Sequence, residues 1–526
     1  MSSTTTVATS GKMYLCYDLR AIQSYIFRVP KLKYIVGGSA LVDRFDREAV
    51  PTLCVKAGCA HLFSGGGKGS IECPDQAFAD KMEDVLRTEA HRFALDIRFG
   101  RDRDFSAAAH AADRVYSFVP ELCDGQPCDL SGLYPVRSEA KEGVHLSIRK
   151  RISEDVFRHF ERRLLSANLN LGPALIGRTI RFLSNIEPDC PEGAAGLASL
   201  GRNRWAIICM DGNDMGRQFR EASAQRPDAL PKWVRSMSVA LDNCAVAAAR
   251  AGIERALFLW SRDHPSQIDT CTCDGDVVVP IRPLVVGGDD LVVLCHPAYA
   301  FDFVEAACKA WSEESQREAA AHGIKDGLRL WPASESGLTI SAGVLFCPAT
   351  LPMHAAVPYA ELLLASAKHR GRGLANVRSA TPSTIDWETV VESMLDTPAA
   401  RRARELRFRD LDVTAGTAGE IVELTKRPYL LSEFIDLKKQ AEKLRSIPRS
   451  IRNDVLPSLR QGRQDRSLFR KRVAKNDVHL DKLLNEDTKM QESAWSLDKH
   501  GLTTWLPDAL SILEETERHA KGESHV

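Results

Sequence analysis

Hydrophobic and polar positions along this chain alternate between the strand and helix periods. An apolar strand pattern over residues 13–17 gives way to a helix with Ile22, Tyr25 and Ile26 at helical spacing, and the spacing predicts a second helix from about Gly37. After Cys54 another apolar stretch runs into Phe63-Ser64-Gly65-Gly66-Gly67-Lys68-Gly69 and then Ile71, which reads as a hairpin tip. Residues 75–97 read as helix.

The same order recurs further on. A strand over 205–210 meets the acidic turn Asp211-Gly212-Asn213-Asp214 and a helix, then two short β-branched runs, 283–286 and 291–295, fold about Gly287-Gly288-Asp289-Asp290. A helix (301–322), a strand (337–346) and a helix (359–368) complete a β-α-β-β-α-β order, which is that of the ferredoxin-like, or Palm, unit. The expectation is an α+β protein with two Palm domains, 1–120 and 201–382, a connector domain over 121–200 and a helical C-terminal domain over 383–526. The connector opens Cys-, Gly- and Pro-rich and continues with a basic segment, 145–170, expected to be helical. Past Pro382 strand signals nearly vanish, and Pro428, Pro448, Pro457 and Pro507 punctuate predicted helices.

Composition narrows the picture. The 526 residues are 44% hydrophobic and 27% charged, which supports a substantial core and excludes disorder, collagen and coiled coil as the main architecture. Seventy basic residues balance 70 acidic ones, so the chain is not a globally basic nucleic-acid binder. Locally, residues 401–475 hold 20 basic against 10 acidic residues, an excess suited to phosphate contact. The 14 cysteines are scattered and often lie in apolar runs, as Cys209 and Cys295 do; buried thiols in a reducing, cytoplasmic setting are expected. Residues 1–10 are polar without a basic-then-apolar signal pattern and no apolar run approaches a membrane span, so a soluble protein with a frayed start and no membrane partner is expected.

Chemistry concentrates in the second unit. A hairpin needs no adjacent carboxylates, whereas nucleotidyl transfer needs closely placed anionic oxygens that hold divalent ions about 3.5 to 4 Å apart. Asp289 and Asp290 at the tip, with Asp211 ending the neighbouring strand, are the expected catalytic metal ligands; Asp214, one turn on, is a lesser candidate. Two or three carboxylates suffice for Mg²⁺ or Mn²⁺, because such an ion keeps waters and substrate phosphates as ligands. Gly212, Gly287 and Gly288 would let a nucleotide approach the backbone, and Lys368 would neutralise departing pyrophosphate. In the first unit Asp18 stands where Asp211 stands, but its turn lacks the carboxylate pair; that unit is expected to be catalytically inactive, with Ser64, Gly65 and Gly66 available as a backbone cradle. Cys123 and Cys128 would supply half a zinc site, with Cys271 and Cys273 too distant in sequence to be assumed partners, so structural zinc is not expected.

These residues resemble a known family, the large Palm-domain subunit of type III CRISPR-Cas effector complexes. Tyr17-Asp18-Leu19-Arg20-Ala21-Ile22-Gln23-Ser24-Tyr25-Ile26-Phe27 followed by Lys31-Leu32-Lys33-Tyr34-Ile35-Val36-Gly37-Gly38-Ser39 is similar to its opening strand, helix and small-residue turn, and Ser64 to Lys68 resembles its degenerate first hairpin. Met210-Asp211-Gly212-Asn213-Asp214-Met215-Gly216 resembles an Asp-Gly-Asp-x-Met-Gly turn, with Asn213 departing from the second Asp. Gly287 to Asp290, Ser341-Ala342-Gly343, Ala365-Ser366-Ala367-Lys368 and Thr425-Lys426-Arg427-Pro428-Tyr429 complete the likeness.

The resemblance implies synthesis of cyclic oligoadenylate from ATP with two divalent ions, gated by target RNA on a guide-RNA complex and docked against other subunits of that complex. Many relatives begin with a histidine-aspartate nuclease domain; here the first Palm starts near residue 12 and the dipeptide His-Asp is absent, so DNA cleavage is not expected. Two other readings stay open: a stand-alone Palm cyclase making a cyclic mono- or dinucleotide, related in fold to GGDEF synthases, and a non-enzymatic assembly subunit.

Overall fold

The computed structural model describes residues 11–27, 32–113, 138–141, 149–152, 204–225, 229–263, 272–273, 276–277, 281–322, 337–375, 380–391, 396–409, 421–461, 463–475, 477–486, 493–498 and 501–520. Strand β1 (Met13–Leu19) leads through α1 (Ile22–Ile26), α2 (Leu32–Arg44), a π-helical turn (Phe45–Ala49) and α3 (Val50–Ala57) to the hairpin β2 (Ala60–Gly65) and β3 (Lys68–Cys73). Helix α4 (Gln76–Arg92), β4 (Ile97–Asp102) and α5 (Phe105–Asp113) follow. The sheet runs β2-β3-β1-β4, with β1 antiparallel to both neighbours. Helix α4 stops short of the predicted residue 97 because Ala94 takes a positive φ of 55° and turns the chain into β4.

Strands β5 (Ser138–Lys141) and β6 (Arg149–Ile152) pair as an antiparallel ribbon. Residues 149–152 are therefore strand where helix was expected; a basic run carries no apolar period to separate the two. Cys123 and Cys128, with the rest of the expected connector beyond these two strands, and Cys271 lie outside the described residues.

The second sheet repeats the first. Strand β7 (Arg204–Gly212) is followed by α6 (Met215–Gln225), α7 (Leu230–Asp263), the short ribbon β8 (Thr272–Cys273) and β9 (Asp276–Val277), and the hairpin β10 (Ile281–Gly287) and β11 (Asp290–Cys295). Then come α8 (Ala300–His322), β12 (Ile340–Pro348), α9 (Met353–Leu374) and β13 (Thr384–Thr389). The order β10-β11-β7-β12 matches β2-β3-β1-β4: hairpin, opening strand, closing strand. Gly100 on β4 and Gly343 on β12 mark the duplication again, because a Cβ at either would strike the backbone of the following helix, at Ala108 and Ala360 respectively.

Strand β7 is buried on both faces, which is why it reads as an unbroken apolar run rather than an alternation. Ala206, Ile208 and Met210 join a core with α7 and α8, whereas Trp205, Ile207 and Cys209 join one with α9 and with Leu15, Tyr17, Leu19, Phe45 and Met82 of the first unit. The two units thus share an apolar layer.

Past residue 382 the chain is less purely helical than expected. Strand β13 adds in parallel to β12. Strands β14 (Arg407–Arg409) and β15 (Ile421–Glu423) join a four-stranded sheet, while β16 (Tyr429–Leu430) caps the second sheet beside β13. With β17 (Trp495–Asp498) and β18 (Gly501–Thr504) the tail sheet runs β14-β15-β18-β17 among helices. These strands are two to four residues long, too short for a period-two pattern to register. Cys209 and Cys295 are buried free thiols, as expected. No helix of the described residues is long and apolar enough to cross a membrane.

Candidate active site

Strand parity and register assemble the carboxylates. Along β7 the odd residues face α9, so Asp211 follows Trp205, Ile207 and Cys209 to that face. Asp290 lies directly opposite Asp211 in the antiparallel β11 to β7 ladder, and its face-mates Val292 and Leu294 belong to the same core. Directly opposed residues carry their Cβ atoms about 5 Å apart on one face. Gly287 pairs with Asp290, leaving Gly288 and Asp289 as a two-residue connection in which Gly288 has φ 60°, a conformation that favours glycine at the first turn position. One carboxylate oxygen each from Asp211, Asp289 and Asp290 lies within 4.8 Å of the others.

Gly212 lets Asp289 close on this group. Its N–H donates to the Asp289 carbonyl at 3.0 Å, and a Cβ on Gly212 would stand 3.0 Å from the Asp289 Cβ. The carboxyl groups of Asp289 and Asp290 are both raised above the ordinary carboxylate range, by desolvation first and then by the charge of Asp211. Lys368 opposes that shift from α9: its buried Nζ lies 2.5 Å from Asp211 Oδ2 and donates to the Gly212 carbonyl at 2.9 Å. A set of hard carboxylate oxygens without thiol or imidazole suits Mg²⁺ or Mn²⁺.

Two clefts flank the triad. A cavity of about 410 Å³ lies between the two sheets, walled by Asp211, Asp290 and Lys368 on one side and by Asp46, Arg47 and Gly66 on the other. A more open cleft of about 720 Å³ is lined by Asp211, Asp289, Lys368, Arg220 and Arg372. Asp211, Lys368 and Arg372 belong to both. Nothing within 4 Å would meet a Cβ on Gly287 or Gly288, so the tip stands in open space.

Not every expected residue turns toward this space. Asp214 accepts from the Thr381 N–H and hydroxyl, each at 2.8 Å, and from Arg217 at 2.7 Å; it is latched to the 381 loop rather than grouped with the triad. Asn213 is buried, donating to Thr339 Oγ1 at 3.0 Å and accepting from Ser341 Oγ at 3.0 Å. In the expected first-unit cradle Gly66 reaches the cavity, but the Ser64 hydroxyl donates to the Asp46 carbonyl at 2.5 Å and Gly65 lies against Asp242.

The first hairpin shows why its turn differs. Asp18 pairs in register with Lys68 as Asp211 does with Asp290, and the Lys68 ammonium is 3.7 Å from Asp18 and 2.9 Å from Asp113. Gly67 holds the place of Asp289; its φ of 79° favours glycine, and a Cβ there would require the Ile22 side chain to move aside. Among residues the sequence did not single out, Arg372 sits one helical turn beyond Lys368, a spacing that could have flagged it. Asp46, Arg47 and Asp242 lie inside helical segments where nothing in the pattern distinguishes them from solvated charge.

Residues 204–374 match the family described as Cas10/Cmr2, second palm domain. Among curated proteins none matches the chain. Similar solved structures include the Csm1-Csm4 cassette in complex with cA4 (14% identity, TM-score 0.48, covering 97% of this chain and 69% of that one). The apo Csm1-Csm4 cassette is similar at 13% identity and TM-score 0.49, covering 97% and 70%. Csm1 in T. onnurineus is similar at 12% identity and TM-score 0.45, covering 96% and 70%.

Proposed function

Starting from a chain that is a Cas10-like Palm subunit, with residues 204–374 its second palm domain, we propose that it is a nucleotidyltransferase making cyclic oligoadenylate from ATP within a type III CRISPR complex. The observation that carries this reading is the convergence of Asp211, Asp289 and Asp290 within 4.8 Å beside the buried Lys368, with clefts on both sides. Divalent ions bound to these three carboxylates would supply activation of a ribose 3′-hydroxyl and stabilisation of charge on the α-phosphate. The residues themselves hold two nucleotides against each other. The cavity between the sheets takes one, with Gly66 and Arg47 on its far wall, and the open cleft takes the triphosphate of the other against Arg220 and Arg372.

In each transfer the 3′-oxygen bonds to the α-phosphorus, the bond to the bridging oxygen of pyrophosphate breaks, and the hydroxyl proton leaves to solvent. Lys368, shared by both clefts, places one positive charge where the pyrophosphate departs. Ring closure repeats the same exchange within one chain. The first unit acts as a catalytically silent Palm, and other complex subunits with guide and target RNA supply the gate.

The test is incubation of the assembled complex with labelled ATP or GTP and Mg²⁺ or Mn²⁺, with and without target RNA, resolving products by mass. Cyclic oligoadenylate that depends on target RNA, and falls by about a hundredfold or more in Asp289→Ala/Asp290→Ala, is expected. Unchanged product in that variant would overturn the assignment. Cyclic mono- or dinucleotide from the chain alone would replace it with the stand-alone cyclase.

A further inference from the structure

We propose that Asp242 and Arg47 form a clasp through which the first unit positions the Gly287-Gly288-Asp289-Asp290 turn, with Asp242 as a positioning residue for the transfer reaction. The inference rests on the reading of that turn as the active site. Asp242, on α7, accepts the Gly288 N–H on Oδ1 at 2.8 Å, while its Oδ2 lies 3.1 Å from Arg47 Nη2. Arg47 belongs to the π-helical turn of the first unit, so one carboxylate joins the tip of the second hairpin to a helix of the other unit.

The amide concerned is one the sheet leaves over. Gly287 and Asp290 are the last ladder pair, so the Gly288 N–H needs a partner from outside the β10 to β11 ladder. The tip has open space around its glycines, so packing does little to fix it, and its carboxylates point where that backbone points. Asp242 sets the plane of the peptide preceding Gly288, two residues before Asp290.

Arg47 makes this hold electrostatically tolerable. Asp211, Asp289 and Asp290 already crowd negative charge at the tip, and Asp242 would add another; the Arg47 guanidinium, which also bonds Asp43 at 2.6 Å, partly offsets it. The π turn does the corresponding work for the first hairpin. Asp46, the residue before Arg47, accepts the Gly67 N–H at 2.7 Å and the Tyr17 hydroxyl at 2.8 Å. Two adjacent residues thus reach the two hairpin tips, Asp46 directly and Arg47 through Asp242. Both also line the cavity that Asp211 and Asp290 line. Such inserted π turns recur at functional sites, because the extra residue redirects the side chains that follow.

The experiment uses the full chain in its complex and compares Asp242→Ala, Asp242→Asn, Arg47→Ala, Arg47→Lys and the Arg47→Ala/Asp242→Ala double variant. Three readouts are taken: amide exchange over residues 284–292, thermal midpoint, and kcat and KM for ATP. Asp242→Ala is expected to speed exchange at the tip by about tenfold and to lower kcat by about 30-fold or more, with KM within about threefold and an unshifted midpoint. Asp242→Asn keeps an acceptor for the Gly288 N–H and retains tip protection. Arg47→Lys keeps a cation beside Asp242 and is expected to retain tip protection, and the double variant is expected to exchange at the tip no faster than Asp242→Ala, because the two residues act on the tip in series. Unchanged exchange at the tip in Asp242→Ala, or multiplicative effects of the two alanine variants on that exchange, would overturn the clasp. If the parent complex makes no nucleotide product, the proposed activity falls, while exchange at the tip and its non-additivity still decide the clasp.

Discussion

Lys68 and Asp290 occupy one register position in two copies of the same sheet, and their difference fixes where positive charge enters each. In the first copy the cation is a side chain on the strand, held by Asp18 and Asp113. In the second the strand supplies a carboxylate, and the resident cation, Lys368, arrives from the helix. A lysine in contact with Asp211 competes with a divalent ion for that carboxylate yet favours an anionic leaving group. Lys368→Met should therefore separate binding from turnover. Mn²⁺ affinity, followed by titration of the free ion's spin resonance, is expected to rise several-fold as a like charge is removed. Product formation is expected to fall by about a hundredfold as the pyrophosphate loses its counter-charge. Parallel losses of both would mean that Lys368 only holds the fold.

At the scale of elements, the π turn Phe45–Ala49 places a carboxylate in a buried position. Burial pushes the Asp46 carboxyl up to about 7, partly offset by its bonds from Tyr17 and Gly67. An acid raised in the folded state holds its proton there after the unfolded chain has released its own. Stability therefore falls as pH rises from about 4 to about 7, and levels off above. Asp46→Asn lacks this titration. Relative to the parent it should gain about 3 kcal/mol between pH 5 and pH 8, read from urea midpoints at those two pH values; parallel profiles would show that Asp46 stays ionised throughout.

This turn also marks where the sequence stops being legible. Strands β7 and β11 and the tip between them could be read because long apolar runs flank an acidic turn, and their register then brought Asp211 and Asp290 together without further information. Strand β4 and helix α5 escaped the reading: β4 alternates too weakly, with Arg98, Arg101 and Asp102 among six residues, and α5 is an alanine-rich stretch with little polarity to phase. The tail sheet was missed for brevity. Asp46 and Asp242 were missed for a different reason: their importance lies in which backbone amide from another part of the chain stops beside them, and that is a tertiary fact.

Over the whole molecule, part of the basic surplus of residues 401–475 turns inward. Arg402 makes two bonds to the fully buried Asp386, at 2.9 and 2.7 Å, and Arg427 lies 3.0 Å from the buried Asp508 of the last helix, Leu506–Ala520. Asp508 also accepts from Thr425 Oγ1, the Lys426 N–H and the Tyr429 hydroxyl at 2.7 to 2.8 Å, so the segment leading into β16 is bolted to that helix. The Arg427 guanidinium continues to the Trp387 carbonyl on β13 at 2.6 Å, which links the tail to the second sheet and hence to the strand system carrying the triad. A buried charge stripped of its partner costs about 3 to 5 kcal/mol, whereas an exposed pair is worth about 1 kcal/mol or less. Asp508→Ala should therefore lower the thermal midpoint and abolish amide protection over residues 421–430, because the buried Arg427 loses the nearer of its two carboxylates and Thr425, the Lys426 N–H and Tyr429 lose their shared acceptor. Arg472→Ala, which breaks a pair with Asp454 whose side chains are 64% and 56% exposed, should do neither. Equal behaviour of the two variants would mean that the buried network does not hold the tail in place, and the arginines of this region would then be free to serve phosphate contact as their number first suggested.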